Sequence, residues 1–125
     1  MAPPEIAQTM KDPRIGTVQR DLSVVVPVFN EEAGLDALLA RTIPVCEAAF
    51  GTSYEIILVD DGSTDRSWPI IAGHADASPN IVGVKLSRNY GHQLALTAGL
   101  KLARGDYVFV LDADLQDPPE LLPEM

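Results

Sequence analysis

Leu22-Ser23-Val24-Val25-Val26-Pro27-Val28 is a β-branched run with little alternation between apolar and polar residues. A strand with one solvated face alternates. A continuous run like this one is a strand covered on both faces, as in a parallel sheet. Residues 55–59, 81–86 and 106–111 repeat the pattern. Helical segments separate them. Leu35, Leu38, Leu39, Ile43, Cys46 and Phe50 recur at helical spacing, with Asn30 as an N-cap, Glu31 and Glu32 at the positive end, Pro44 as a kink and Gly51 as the stop. A second helix is predicted over 67–75, with Pro69 in its first turn, and an Ala- and Leu-rich third helix running to Arg104 with Gly105 ending it. The β-α-β-α-β-α-β alternation predicts an α/β fold, a Rossmann-like, mostly parallel sheet with helices on both faces.

Such sheets bind ligands at the carboxyl ends of their strands. Polar clusters follow each predicted strand: 29–32, 60–65, 87–91 and 112–116. All four are expected on one edge. In the last, Asp112-Ala113-Asp114-Leu115-Gln116, an extended chain points Asp112, Asp114 and Gln116 to one side. Three oxygen ligands at that spacing suit a hard divalent cation, Mg²⁺ or Mn²⁺, whose remaining positions take substrate phosphates. A nucleoside diphosphate is the first substrate to consider.

Composition narrows the field. In 125 residues, 46% are hydrophobic and 22% charged, enough for one domain with a real core. The net charge of −9, with nine Lys and Arg in all, argues against a nucleic-acid surface. Asp60, Asp61, Asp65, Asp112 and Asp114 concentrate acid in two segments that follow strands, although surface solubility also accounts for a negative balance. Cys46 reads as a small buried hydrophobe in a reducing compartment. There is no signal peptide and no run near the ~20 apolar residues of a membrane span, so the chain itself reads as soluble. Residues 1–20, with Pro3, Pro4 and Pro13, read as a flexible tail, and the fold is expected over 21–125. An amphipathic segment begins after Pro118-Pro119 with nothing left to pack on, which reads as the front part of a longer protein. An uncovered sheet edge would favour a homo-oligomer.

Single motifs read two ways. Asp-x-Asp after a strand serves as a helix cap or a metal site, and Asp60-Asp61-Gly62-Ser63 as an Asx turn or a ligand loop. Arg88 suits a phosphate or a surface carboxylate. His92, near a helix start, reads as structural, and His74 as solvated.

Taken together, Val26-Pro27-Val28-Phe29-Asn30-Glu31-Glu32, Val59-Asp60-Asp61-Gly62-Ser63-Thr64-Asp65, Ser87-Arg88-Asn89-Tyr90-Gly91-His92 and Asp112-Ala113-Asp114-Leu115-Gln116-Asp117-Pro118-Pro119-Glu120 resemble family 2 glycosyltransferases of GT-A fold. Within them the chain is similar to the polyprenyl-phosphate sugar transferases, the group of dolichol-phosphate mannose synthase and the bactoprenol glucosyltransferases. The resemblance implies an incomplete nucleotide-sugar-binding domain, ending after the Asp-x-Asp motif. It further implies inverting, metal-dependent transfer from a UDP- or GDP-sugar to a polyprenyl phosphate at the cytoplasmic membrane surface. Membrane contact would come through segments absent from this chain. The resemblance places Pro27, Phe29 and Glu31 along the nucleoside, Asp60 on the base, and Asp112, Asp114 and Gln116 on the metal, with Asp112 and Asp114 as the catalytic pair. Asp61 would support nucleotide or metal from behind. The fragment alone is expected to be inactive. Rival readings are transfer to a saccharide hydroxyl in polysaccharide synthesis and a nucleotide-binding module without turnover. A phospho-acceptor receiver domain is disfavoured, because it wants its acidic pair after the first strand and a lysine after the last.

Overall fold

A computed structural model of the protein describes residues 4–10 and 20–113. In chain order the elements are β1 (Ile6–Met10), β2 (Arg20–Val28), α1 (Leu35–Phe50), β3 (Tyr54–Asp60), α2 (Ser67–Ala77), β4 (Ile81–Leu86), α3 (His92–Leu102) and β5 (Gly105–Val110). They form one five-stranded sheet, ordered β1-β4-β3-β2-β5. The pairs β4/β3, β3/β2 and β2/β5 are parallel and β1 is antiparallel to β4.

The order explains where the helices lie. From β2 the chain steps through β3 to β4 in one direction, then reverses to place β5 on the other side of β2. With crossovers of one hand, a reversal moves the connecting helix to the opposite face. Accordingly Leu22, Val24, Val26 and Val28 of β2 face Leu35, Leu38, Leu39 and Cys46 of α1 and Ile71 and Ala75 of α2. Val25, Ile57, Val59, Val82 and Val84 pack with Ala95, Ala98 and Leu102 of α3 on the other face. The run that opens the fold is therefore buried on both sides, as its lack of alternation requires. Gly99 lets α3 sit close on the sheet, since a Cβ there would meet Val25 Cγ1 at 2.5 Å. Burial pushes the Cys46 thiol up to about 12, so it is an inert core residue.

Three expectations are corrected. Within the stretch read as a tail, Ile6–Met10 forms a strand on β4, and Ser87 N–H donates to Glu5 C=O at 2.8 Å. Residues 1–20 are thus not uniformly a tail. The third helix stops at Leu102, and Gly105 opens β5. Its reason is proximity: a Cβ on Gly105 would lie 2.4 Å from Ser23 N. Asn30 does not cap α1, whose N-cap is Gly34. Gly51 does end α1, at φ 62°.

A buried polar knot closes the amino ends of three strands. Ser23 Oγ donates to Glu55 Oε2 at 2.6 Å, Arg104 N–H donates to the same oxygen at 2.8 Å, and Gly105 N–H donates to Ser23 Oγ at 2.7 Å. The Arg104 guanidinium pairs with Glu55 Oε1 at 3.5 Å. Among the described residues no helix is long and apolar enough to cross a membrane. On β5, which among the described residues pairs only with β2, Tyr107, Val108 and Val110 are exposed.

Candidate functional site

In open parallel sheets the ligand crevice lies where the strand order reverses, outside the carboxyl ends of the strands. Here that point is between β2 and β5. Two cavities open there. One of about 170 Å³ is lined by residues of three loops, among them Pro27, Phe29, Asp61, Asn89 and His92. The other, of about 320 Å³, is lined by Pro27, Phe29, Glu31, His92, Asp112 and Ala113. Phe29 is 46% exposed, an aromatic surface at the mouth of both.

The loops are fixed to one another by reciprocal hydrogen bonds. Asn30 adopts a left-handed conformation, φ 52°, which asparagine tolerates. Its Oδ1 accepts from Thr64 N–H at 2.8 Å and Asp65 N–H at 3.3 Å. In return the N–H groups of Asn30, Glu31 and Glu32 donate to Ser63 Oγ, Ser67 Oγ and Asp65 Oδ2 at 2.9, 2.9 and 3.1 Å. Asp65 Oδ1 also accepts from Ser67 N–H, at the start of α2. Desolvation acts to raise the Asp65 pKa, but the hydrogen bonds from Ser67 and Glu32 outweigh it and hold the carboxyl below its usual 3.8. The clasp is thus stabilising above that value and is lost as pH falls through the depressed pKa.

Asp61 makes the second tie. Its carboxylate accepts Tyr90 N–H at 2.7 Å and Gly91 N–H at 3.0 Å, while Asn89 Nδ2 donates to its carbonyl at 3.1 Å. Gly62, at φ 72°, brings the two backbones together, since a Cβ would stand 2.4 Å from Asn89 N. Arg88 stacks 4.2 Å from the centroid of Tyr90, and the Ser87 hydroxyl, hydrogen-bonded to the Tyr90 phenol, lowers its pKa. Neither alternative held open for Arg88, phosphate or carboxylate, describes this contact.

Asp60 is different. It is fully buried at the end of β3, its Oδ1 accepts Ser63 N–H at 3.3 Å, and its Oδ2 has no hydrogen-bond partner. Burial raises its pKa above the usual 3.8 against the lowering effects of Ser63 and Lys85. An unpartnered oxygen in a carboxylate this buried is costly unless a ligand satisfies it.

Of the residues singled out by sequence, the structure brings Pro27, Phe29, Glu31, Asp61 and Asp112 to the cavities. It leaves Asp60 behind them, lining neither. Asp61 engages both carboxylate oxygens with backbone, which makes it a scaffold of the site. Asp114 and Gln116 lie outside the described residues. Among the described residues no three His, Cys, Asp or Glu side chains converge as a metal cage. Asp112 is a hard oxygen donor on the wall of the larger cavity, its side chain 33% exposed, a donor type that suits a divalent cation. By sequence His92 reads as structural and Asn89 has no assigned role, yet both line a cavity. Their signal was position, directly after a strand on the carboxyl edge. His74, read as solvated, hydrogen-bonds Asp36 Oδ1 at 2.7 Å.

Comparisons with known proteins bear on the fold and the family. The chain is 48% identical over 105 residues to the undecaprenyl-phosphate 4-deoxy-4-formamido-L-arabinose transferase of Shewanella sediminis, a match covering 83% of this chain and 31% of that protein. The same transferase of Aeromonas hydrophila is 50% identical over 105 residues, covering 83% and 32%. The chain thus spans about a third of the length of these relatives. Among solved structures, S. aureus TarS in complex with UDP matches with a TM-score of 0.69 and 28% identity, over 83% of this chain and 30% of that one. The mannosyltransferase PcManGT from Pyrobaculum calidifontis, in complex with GDP-Man and Mn²⁺, matches with a TM-score of 0.70 and 25% identity, over 98% and 34%. The fold is the GT-A fold of these neighbours. The family profile described as glycosyl transferase family 2 matches residues 23–125, and the chain belongs to that family.

Proposed function

We propose that this chain is the donor-binding part of a glycosyltransferase that moves a sugar from a nucleoside diphosphate to a polyprenyl phosphate at the cytoplasmic face of a membrane. The observation that carries the reading is the larger cavity at the strand-order reversal, where Phe29, Glu31 and Asp112 meet. Phe29 offers its ring to the nucleoside. Glu31 can accept hydrogen bonds from ribose hydroxyls. Asp112, with Asp114 and Gln116, would hold a divalent cation, which supplies Lewis-acid neutralisation of the departing diphosphate. Named relatives transfer to undecaprenyl phosphate, and solved neighbours carry UDP, or GDP-Man with Mn²⁺, which supports both halves of the proposal.

The reaction is written as direct displacement with inversion. An oxygen of the lipid phosphate attacks the anomeric carbon as the bond from that carbon to the nucleoside diphosphate breaks. A phosphate nucleophile is already anionic at neutral pH, so no general base is required. A saccharide hydroxyl acceptor would need one.

Asp60 lies behind both cavities with its unpartnered oxygen buried, so it meets a base only once the loops in front of it part, and in that case it ranks the bases. With Oδ1 on Ser63, it offers one oxygen. Uracil presents a single imide N–H, whereas guanine presents two neighbouring N–H groups, so UDP is expected to bind more tightly than GDP in calorimetric titrations with Mn²⁺. Equal affinity, or a preference for GDP, would remove Asp60 from the base site. A companion result concerns stability. Because its folded pKa is raised, ionised Asp60 destabilises the fold at neutral pH, and the native chain regains that stability as pH falls through the raised pKa. Asp60→Asn is therefore expected to bind UDP at least tenfold more weakly yet match or exceed native stability at pH 7, with the advantage shrinking as pH falls through the raised pKa and gone below the usual carboxylate value. Urea unfolding at several pH values reads this out.

A further inference from the structure

We infer that His92 is a diphosphate-binding residue, an assignment that rests on the donor-site reading above. The larger cavity is lined by two carboxylates, Glu31 and Asp112, by the apolar Pro27, Phe29 and Ala113, and by His92. A diphosphate entering this space meets like charge on two sides. A cation on Asp112 screens one of them. The other need is for N–H donors, and among these six side chains only the imidazole supplies one. In the adjoining cavity Asn89 commits one of its two amide N–H groups to the Asp61 carbonyl, which holds that side chain against the loop and away from the larger cavity's lining. Among the described side chains that line the larger cavity, His92 is therefore the one able to donate.

Its placement fits that task. His92 is the first residue of α3, held in position from behind, because Asp61 fixes Tyr90 and Gly91 N–H immediately before it. The side chain is 56% exposed, so it is not committed to the core. Nε2 stands 3.9 Å from Asp112 Oδ1, too far for a hydrogen bond and wide enough for a ligand oxygen to engage both groups' surroundings. With a cation held on Asp112, the Nε2–H beside it would hold a neighbouring oxygen of the same diphosphate. The role requires only that Nε2 carry a hydrogen.

The test separates diphosphate from nucleoside. The native chain, His92→Ala and His92→Gln are titrated calorimetrically with UDP and with uridine in Mn²⁺, and Mn²⁺ affinity is measured without nucleotide by electron paramagnetic resonance. His92→Ala is expected to weaken UDP about tenfold, the size of one charge-assisted hydrogen bond, and to change uridine by less than about twofold. His92→Gln, which keeps an N–H donor, recovers part of the loss. Mn²⁺ affinity stays at the native value. Equal weakening of UDP and uridine, unchanged UDP binding, or loss of Mn²⁺ affinity would overturn the assignment, the last by making His92 a metal ligand. Loss of the native circular dichroism spectrum in His92→Ala would overturn it as well, by assigning the residue to the fold. A native chain that binds neither UDP nor uridine would instead overturn the donor-site reading, and this inference with it.

Discussion

Asp61→Ala is expected to cost about 3 kcal/mol of folding stability and to abolish nucleotide binding together with it. The residue is 3% exposed, and its two oxygens accept the Tyr90 and Gly91 N–H groups at 2.7 and 3.0 Å. Alanine strands both donors in a region where Gly62 already presses against the Asn89 backbone and leaves little space for water. The loop of residues 87–91 then loses its register, and with it the start of α3. Asp61→Asn retains one acceptor and should fall between the two. Urea denaturation gives the stability, and a midpoint shift without a change in slope would show that the native state was the one affected. A variant as stable as the native chain would remove Asp61 from the scaffold and return it to direct ligand contact.

Glu55→Ala is the contrasting case. This carboxylate is also buried, 1% exposed, but it lies at the amino end of β3, away from the cavities. Its removal takes away the Glu55 carboxylate that pairs with the Arg104 guanidinium and that accepts from Ser23 Oγ and Arg104 N–H. Breaking one side of a buried pair of this kind costs about 3–5 kcal/mol. Native-like folded protein, selected by low temperature or a stabilising osmolyte, should still bind UDP with unchanged affinity. Loss of affinity in the folded variant would mean that the knot is coupled to the site across the sheet.

Much of this architecture was legible in the chain. Residues 22–28, 55–59 and 81–86 are apolar on both faces because helices cover both, and a run without alternation reports that directly. The carboxyl-edge rule then placed Phe29, Glu31, Asp61 and Asp112 together before any coordinates. What failed did so for local reasons. Asn30 resembles an N-cap, but its side chain is drawn instead to the Thr64 and Asp65 N–H groups, a partner 34 residues away that no local pattern reveals. Gly105 resembles a helix stop, and its true requirement is the closeness of Ser23. The strand Ile6–Met10 is short and adjoins prolines, so only its pairing with β4 defines it. Asp60 and Asp61 are neighbours of one type, and sequence could not say that one carboxylate is saturated by backbone while the other keeps an oxygen unpartnered.

The central claim is a metal-dependent nucleoside diphosphate site at the reversal between β2 and β5. Its most direct measurement is calorimetric titration of the native chain and Asp112→Ala with UDP, in Mn²⁺ and in EDTA. The account predicts binding to the native chain that is strong in Mn²⁺, weakened at least tenfold in EDTA, and equally weak for Asp112→Ala under both conditions. Native-like UDP affinity in Asp112→Ala, or the same affinity with and without metal, would contradict it.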